Sequence, residues 1–384
     1  MNSSFPEIQK NFGFGCMRFP TLENEQVDTA AVTQMVDAFL EAGFNYFDTA
    51  RPYHNGNSES VLRECLTSRY PRDLYVLTDK LSPTQFETEE EILPLFESQL
   101  ERCGVDYFDF YLFHANSAVR HEKFTNTRAY EIAKELKAAG KIRHIGMSFH
   151  DSARVLDKIL TEHPEIEVVQ LQINYVDWDD PKIQSRKCYD VCRKHGKPVM
   201  VMEPVKGGTL VNLPEAAMQA LNGKSPAELA IRYAAGLSDV CMVLSGMSNL
   251  EQMQENVAFM QDFQPLTYPE QQMIAQARTI YQAQTRIPCT KCRYCVKGCY
   301  GQIDIPAVFS CYNDILEGKE GAEEAYKALV RGADRCVGCD MCCHVCPQGL
   351  DIRMLMKQIN DRFMPNTVKR PTTRTRLRDL RKQK

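Results

Sequence analysis

Eight short apolar runs recur along the chain up to Phe263: GFGCM, GFNYFD, LYVLT, YFDFYLF, IRHIGMS, EVVQLQI, KPVMVME and DVCMVLSG. Stretches with helical spacing separate most of them, among them Ala30 to Ala42, Glu89 to Cys103, Arg128 to Ala139 and Pro226 to Ala235. Short runs rich in Val, Ile, Phe and Tyr read as strands buried on both faces. Strands of that kind alternating with helices call for a parallel sheet, because a parallel neighbour is reached only by a long crossover. Eight such units in about 250 residues predict a closed (β/α)₈ barrel. A doubly wound open sheet is the alternative, but no GxGxxG follows an early strand.

The remainder of the 384 residues reads differently. Residues 264–287 suit a helical connector, 288–365 a second domain crowded with cysteine, and 366–384 a basic tail. Between the cysteine runs, Asp314 to Ala333 has helix-forming composition. A net charge of −4 gives no reason to expect nucleic acid. No apolar run reaches the ~18 residues of a membrane span, and the first residues lack the basic and apolar regions of a secretory signal. The basic tail reads as a solvated terminus, with a docking strip for an acidic electron carrier as the alternative.

Sixteen cysteines in a chain of this size, without a secretory signal, point to reduced thiols in a cytoplasm rather than to disulfides. Ten of them fall between Cys289 and Cys346. Cys289, Cys292, Cys295 and Cys299 are spaced C-x₂-C-x₂-C-x₃-C; Cys336, Cys339, Cys342 and Cys346 repeat the spacing, with Pro347 behind. That is the bacterial ferredoxin run for [4Fe–4S] clusters, in which the fourth cysteine serves the other cluster. The expected sets are therefore Cys289, Cys292, Cys295 and Cys346 for one, and Cys336, Cys339, Cys342 and Cys299 for the other. Each run closing its own cluster would use the same eight residues. Zinc ribbons usually bring separated C-x₂-C pairs instead. The first run has Tyr300 where the second has proline, and Cys311 and Cys343 stand outside the pattern.

In a (β/α)₈ barrel the reacting groups sit at the C-terminal ends of strands. GFNYFD ends in Asp48, with Tyr53 five residues on; LYVLTDK ends in Lys80 and YFDFYLFH in His114. These four make a proton-delivery set. A phenol, with its ordinary pKa near 10, is a weak acid at neutral pH, and a neighbouring ammonium is expected to lower that value. Asp48 would anchor the ammonium, and His114 would orient a substrate oxygen.

With these residues in view the chain resembles the aldo-keto reductases over about residues 9 to 263. The resemblance rests on GFGCM, FDTARPYH, TDK, YLFHA, GKIRHIGMS, QINY, EPVKGGTL and SGMSNLEQMQEN, in that order. It implies a TIM barrel, a nicotinamide cofactor at its mouth and reduction of small carbonyl substrates, with Asp48, Tyr53, Lys80 and His114 as the catalytic tetrad. It also implies that Ser148 and Gln172 hold the nicotinamide carboxamide and that Gly207 and Gly208 meet the pyrophosphate. Ser248, Gln252, Glu255 and Asn256 fall in the adenosine-binding loop. The chain departs from the family pattern at Phe149, Met202, Glu203 and Met247. NADP(H) is preferred because Ser248 and Gln252 suit the 2′-phosphate; NAD(H) and a flavin remain alternatives. Barrel and cysteine domain together resemble the ferredoxin-fused (4Fe–4S) aldo-keto reductases, whose module is mostly α-helical.

Three functions follow. The first is carbonyl/alcohol interconversion coupled through the clusters to an external electron carrier. The second is a carbonyl reductase whose clusters only stabilise the fold. The third is a non-enzymatic redox and nucleotide sensor, against which the complete tetrad speaks.

Overall fold

Strand pairing closes on itself. In a computed structural model describing residues 4–283 and 286–363, β1 (Phe12–Gly15), β2 (Tyr46–Asp48), β3 (Val76–Leu81), β4 (Phe108–Asn116), β5 (Ile142–Phe149), β6 (Val168–Gln172), β7 (Val199–Met202) and β8 (Val240–Ser245) pair in sequence order, all parallel, and β8 returns to β1. All eight predicted runs supply one strand each. The basic tail expected at 366–384 lies outside the described residues, as do Gln284 and Thr285 of the connector.

Two compact units make up the chain: Met1–Val205 with Leu213–Arg278, and Lys206–Asn212 with Thr279–Lys384. In the first, the barrel interior is filled by Tyr46, Val76, Phe110, Leu112, Val168, Met200, Met242 and Leu244, with Phe5 from the N-terminal segment. Gly146 of β5 leaves the space these bulky neighbours take. A Cβ there would lie 2.5 Å from Leu112 and 2.6 Å from Val168. A second, larger apolar layer packs strands against the helices Thr29–Glu41, Ile92–Cys103, Ala129–Ala138, Ala153–Glu162, Ser185–Lys194, Pro226–Ala235 and Leu250–Gln261. Gly104 ends Ile92–Cys103 in the left-handed conformation that glycine takes without a steric penalty. Among the described residues no helix is long and apolar enough to cross a membrane.

His144 on β5 shows what burial does to an ion pair here. It lies under the rings of Phe5 and Phe110, with Nε2 2.6 Å from Glu7 and Nδ1 3.0 Å from Glu167. Burial opposes its charge, but the two carboxylates prevail and hold the imidazole up at about 9. Glu167 is held down at about 2, burial again opposing and His144 and Lys137 prevailing. The His144 contribution is therefore full below about pH 6.5 and lost as pH rises through about 9; that of Glu167 is full above about pH 4.5 and lost as pH falls toward about 2. His144→Gln should cost roughly 1–2 kcal/mol at pH 5.5, allowing for partial solvent screening. Urea denaturation at pH 5.5 and pH 10 should show the deficit shrink toward zero at the higher pH.

The second unit has its own apolar core, including Ile287, Ile303, Ile305, Val308, Phe309, Met356 and Ile359. Its longer helices are Ile305–Leu316 and Ile352–Phe363. Here the sequence expectation needs correcting. Asp314 to Ala333, helix-forming in composition, is broken: it begins in the last turn of Ile305–Leu316, Gly318 and Gly321 both turn left-handed, and a second short helix, Ala322–Lys327, follows.

Candidate functional site

Three strand ends and the turn carrying Tyr53 meet at the barrel mouth. Asp48 closes β2, Lys80 lies one residue before the end of β3, and His114 is on β4. The Lys80 ammonium is fully buried and donates to three oxygens: Asp48 Oδ1 at 2.6 Å, the Thr49 carbonyl at 2.7 Å and the Tyr53 hydroxyl at 3.3 Å. Those three contacts match the donors of an ammonium. Because Tyr53 oxygen accepts from Lys80, its own hydrogen must point elsewhere. The His114 ring stands edge-on to Tyr53 at 6.0 Å, and its Nδ1 is 2.6 Å from Ser82 Oγ.

Each side chain is held from behind. Gln170 on β6 donates to the second Asp48 oxygen at 3.1 Å. Gln99 donates to the Lys80 carbonyl at 3.1 Å and accepts from Tyr111. The turn carrying Tyr53 runs through three successive left-handed residues, His54, Asn55 and Gly56. His54 fixes it by accepting from Phe19 N–H at 3.0 Å and stacking on the Phe19 ring. A bulge in β4 re-aims His114: the register shifts between Phe113 and Asn116, Ala115 is left-handed, and its N–H donates to Ser148 Oγ at 2.7 Å. Bulges of this kind are over-represented beside active sites.

The electrostatics reverse one expectation. Burial, reinforced by the Asp48 carboxylate, pushes the Tyr53 phenol well above its ordinary value rather than below it. Sequence reasoning credited Lys80 with lowering it, but that charge is already held by Asp48 and the Thr49 carbonyl. In this state Tyr53 keeps its proton. His114 is pushed well below its ordinary value, first by burial and then by the Lys80 charge, so its imidazole is neutral.

The residues expected to hold a dinucleotide fall in three places. Ser148 and Gln172 are buried at the ends of the adjacent strands β5 and β6. A hydroxyl beside an amide suits a carboxamide, although Gln172 Nε2 also donates to Asp177 at 2.8 Å. In the last loop, Ser248 N–H donates to Gln252 Oε1 at 2.9 Å and Ser248 Oγ to the Arg18 carbonyl at 3.0 Å. Asn249 caps the helix Leu250–Gln261. Glu255 is exposed on that helix, whereas Asn256 turns inward to Ser245. Gly207 and Gly208 belong to the loop counted with the second unit, where a Cβ on Gly207 would lie 2.5 Å from the Thr290 carbonyl oxygen.

In the second unit two cavities are built around cysteine. One is lined by Cys289, Cys292, Cys295 and Cys346 together with Thr290, Phe309 and Gln348. The other is lined by Cys299, Cys336, Cys339 and Cys342. Each takes three cysteines from one run and the fourth from the other. Cys311 and Cys343 line neither. Zinc held by thiolates at about 2.3 Å would draw its sulfurs to about 3.8 Å apart. Among the described residues, the one group of three or more His, Cys, Asp or Glu with all donor atoms within 4.8 Å of one another is His121, Glu162 and His163. No three of the described cysteines meet that spacing.

Gln170, Ser82, Thr49, Gln99 and His54 were missed by sequence reasoning. Two carried a signal: Gln170 shares a strand face with Gln172, and Ser82 with Lys80, by the two-residue period of a strand.

Comparison with known proteins agrees with the barrel fold. The model of the Aldo/keto reductase family matches residues 11–278, more than half of the chain and short of both cysteine runs. An aldo-keto reductase from Mycolicibacterium vanbaalenii is 29% identical over 239 residues, covering 60% of this chain and 78% of the relative. An NADH-specific methylglyoxal reductase from Escherichia coli is 26% identical over 275 residues, covering 58% and 81%. Among solved structures, the holo form of aldo-keto reductase AKR11C1 from Bacillus halodurans is 26% identical, covers 70% of this chain and 91% of its own, and superposes with a TM-score of 0.58. A Klebsiella pneumoniae aldo-keto reductase in complex with NADPH is 21% identical, with coverage of 72% and 92% and a TM-score of 0.57.

Proposed function

This chain belongs to the aldo/keto reductase family, and from that premise we propose an NAD(P)H-linked carbonyl/alcohol oxidoreductase coupled to one-electron transfer through two [4Fe–4S] clusters. That places it in the ferredoxin-fused subgroup, with the barrel to residue 263, a connector over 264–287 and the cluster module over 288–365. A bound nicotinamide would supply hydride to the substrate carbon. Ser148 and Gln172 would hold its carboxamide, and Ser248 and Gln252 the 2′-phosphate of NADP(H), the preferred form; NAD(H) is the alternative, as in the Escherichia coli relative. Glu255, exposed, and the inward-turned Asn256 would complete the adenosine side.

The tetrad's part follows from where its hydrogens point. Tyr53 accepts from Lys80 and so presents its O–H to the carbonyl oxygen. As that oxygen gains charge the phenol gives up its proton, and the phenolate left behind is caught by the Lys80 ammonium in a charge-assisted bond. Asp48, fixed by Gln170, keeps Lys80 in place. Ser82 donating to His114 Nδ1 would leave the proton on Nε2, able to orient the substrate oxygen.

The crossed pairing carries the coupled reading: each cavity is lined by four cysteines, three from one run and one from the other. A nicotinamide exchanges electrons in pairs and a cluster singly, so two clusters match one hydride in number. Oxidation of an alcohol at the tetrad would leave the hydride's two electrons on the nicotinamide, for a flavin, the class of group that splits the pair, to divide between the clusters and an external carrier; in carbonyl reduction the hydride goes to the substrate and the clusters receive nothing. Protein purified without oxygen should hold about eight iron and eight sulfide, four of each per cluster. Cys346→Ser should lose one cluster, falling to about four iron, and leave the other cluster's signal unchanged. Loss of the signal of the 336/339/342 set in that variant would mean that each run closes its own cluster; a full zinc complement instead of iron would sink the reading.

A further inference from the structure

The loop that follows β7 carries a feature that nothing in carbonyl reduction uses. Lys206 is 3% exposed and left-handed, and its Nζ donates to Gln348 Oε1 at 3.0 Å. Thr209 holds the same turn by donating N–H and Oγ1 to the Lys206 carbonyl, at 3.1 and 2.8 Å. Gly207, next in line, is left-handed as well and lies so close to Thr290 that no side chain fits. Thr290 and Gln348 both line the cavity of Cys289, Cys292, Cys295 and Cys346. A buried ammonium is thus locked one side chain away from this cavity, on a loop whose glycine permits the close approach.

We propose that Lys206 sets the reduction potential of the cluster held by Cys289, Cys292, Cys295 and Cys346. The inference rests on the reading that the cysteines hold clusters. A cluster gains one negative charge on reduction, and net charge and hydrogen bonding around the sulfurs are what tune such potentials. A fixed cation in a dry setting favours the reduced state, and Gln348 holds that cation in place from the cavity wall. The wall of the other cavity, lined by Cys299, Cys336, Cys339 and Cys342, includes neither Thr290 nor Gln348, the residue that Lys206 holds. The two sites are therefore inequivalent, with Arg293 on the wall of the first and Asp340 and Arg353 on the wall of the second, and the Lys206 charge favours reduction of the 289/292/295/346 cluster. Lys206 is a positioning residue in this sense: it acts on the cluster through its charge.

The test is anaerobic redox titration of the full-length protein, following each cluster by electron paramagnetic resonance, with iron and sulfide assayed on every sample. Lys206→Met should make one cluster about tenfold harder to reduce, which is about 59 mV for a one-electron couple, and leave the other unmoved. Lys206→Arg should keep the original value. Gln348→Glu, which pairs the ammonium with a carboxylate in an isosteric side chain, should lower the same cluster's potential and decides the matter if Lys206→Met does not fold. Full iron with no shift in either Lys206→Met or Gln348→Glu overturns the inference while leaving the cluster reading intact, as does an equal shift of both clusters. Wild-type protein without iron and sulfide overturns both.

Discussion

Tyr53→Phe should lower kcat/KM for reduction of small aldehydes by about 10²–10⁴, the usual worth of a positioned proton donor. On the free-energy scale that is about 3–5 kcal/mol of transition-state stabilisation. The loss should fall on kcat. Nucleotide affinity should stay within about twofold, because the ring remains and the removed hydroxyl faces the substrate. The fold should barely notice: Lys80 keeps Asp48 and the Thr49 carbonyl as acceptors, so the stability cost is one weak hydrogen bond, about 1 kcal/mol or less. Steady-state kinetics with nucleotide binding by fluorescence separates the two effects. Near-normal kcat in this variant would remove Tyr53 from the proposed role and the tetrad with it.

Lys80→Met should be the most damaging single change to stability in the barrel, at about 3–5 kcal/mol. Lys80 is fully buried and Asp48 nearly so. Deleting one partner strands the Asp48 carboxylate, with only Gln170 still donating to it, and leaves the Thr49 carbonyl without its ammonium. Urea denaturation at pH 7 should show a lower midpoint with an unchanged slope. Removing both charges, in Asp48→Asn with Lys80→Met, should recover much of the stability and none of the activity, because neutral partners carry no stranded charge. If the double variant is as unstable as the single one, packing around Lys80 rather than the ion pair holds this corner of the barrel.

These expectations show what a sequence makes legible. The strands were readable because a parallel barrel buries both faces of each one, so hydrophobicity alone marks them. Asp48, Lys80 and His114 were readable because a polar residue ending an apolar run in such a barrel lands at one mouth. The crossed cysteine sets were suggested by spacing and recur in the cavity walls. What failed depended on three-dimensional surroundings. The sign of the Tyr53 shift turned on burial and on how Lys80's charge is already engaged, and neither is visible in a string of letters. Gln170 and Gln99 act through neighbours on other elements, so their roles exist only after folding. Gly207 was expected to meet the cofactor's pyrophosphate. The sequence could not say that Thr290 packs there. Asp314 to Ala333 has the composition of a helix, but Gly318 and Gly321 punctuate it, and local backbone freedom outweighed propensity.

The central claim is that hydride chemistry at the barrel and one-electron chemistry at the cysteines are connected in one chain. It is tested by adding NADPH, and separately NADH, to anaerobic protein of full iron content and recording the broad visible absorbance of the clusters. The account predicts bleaching by at least one nucleotide. Clusters that stay oxidised with both nucleotides, yet bleach with dithionite, in protein that still reduces aldehydes, would contradict it and leave a carbonyl reductase with a structural iron–sulfur module.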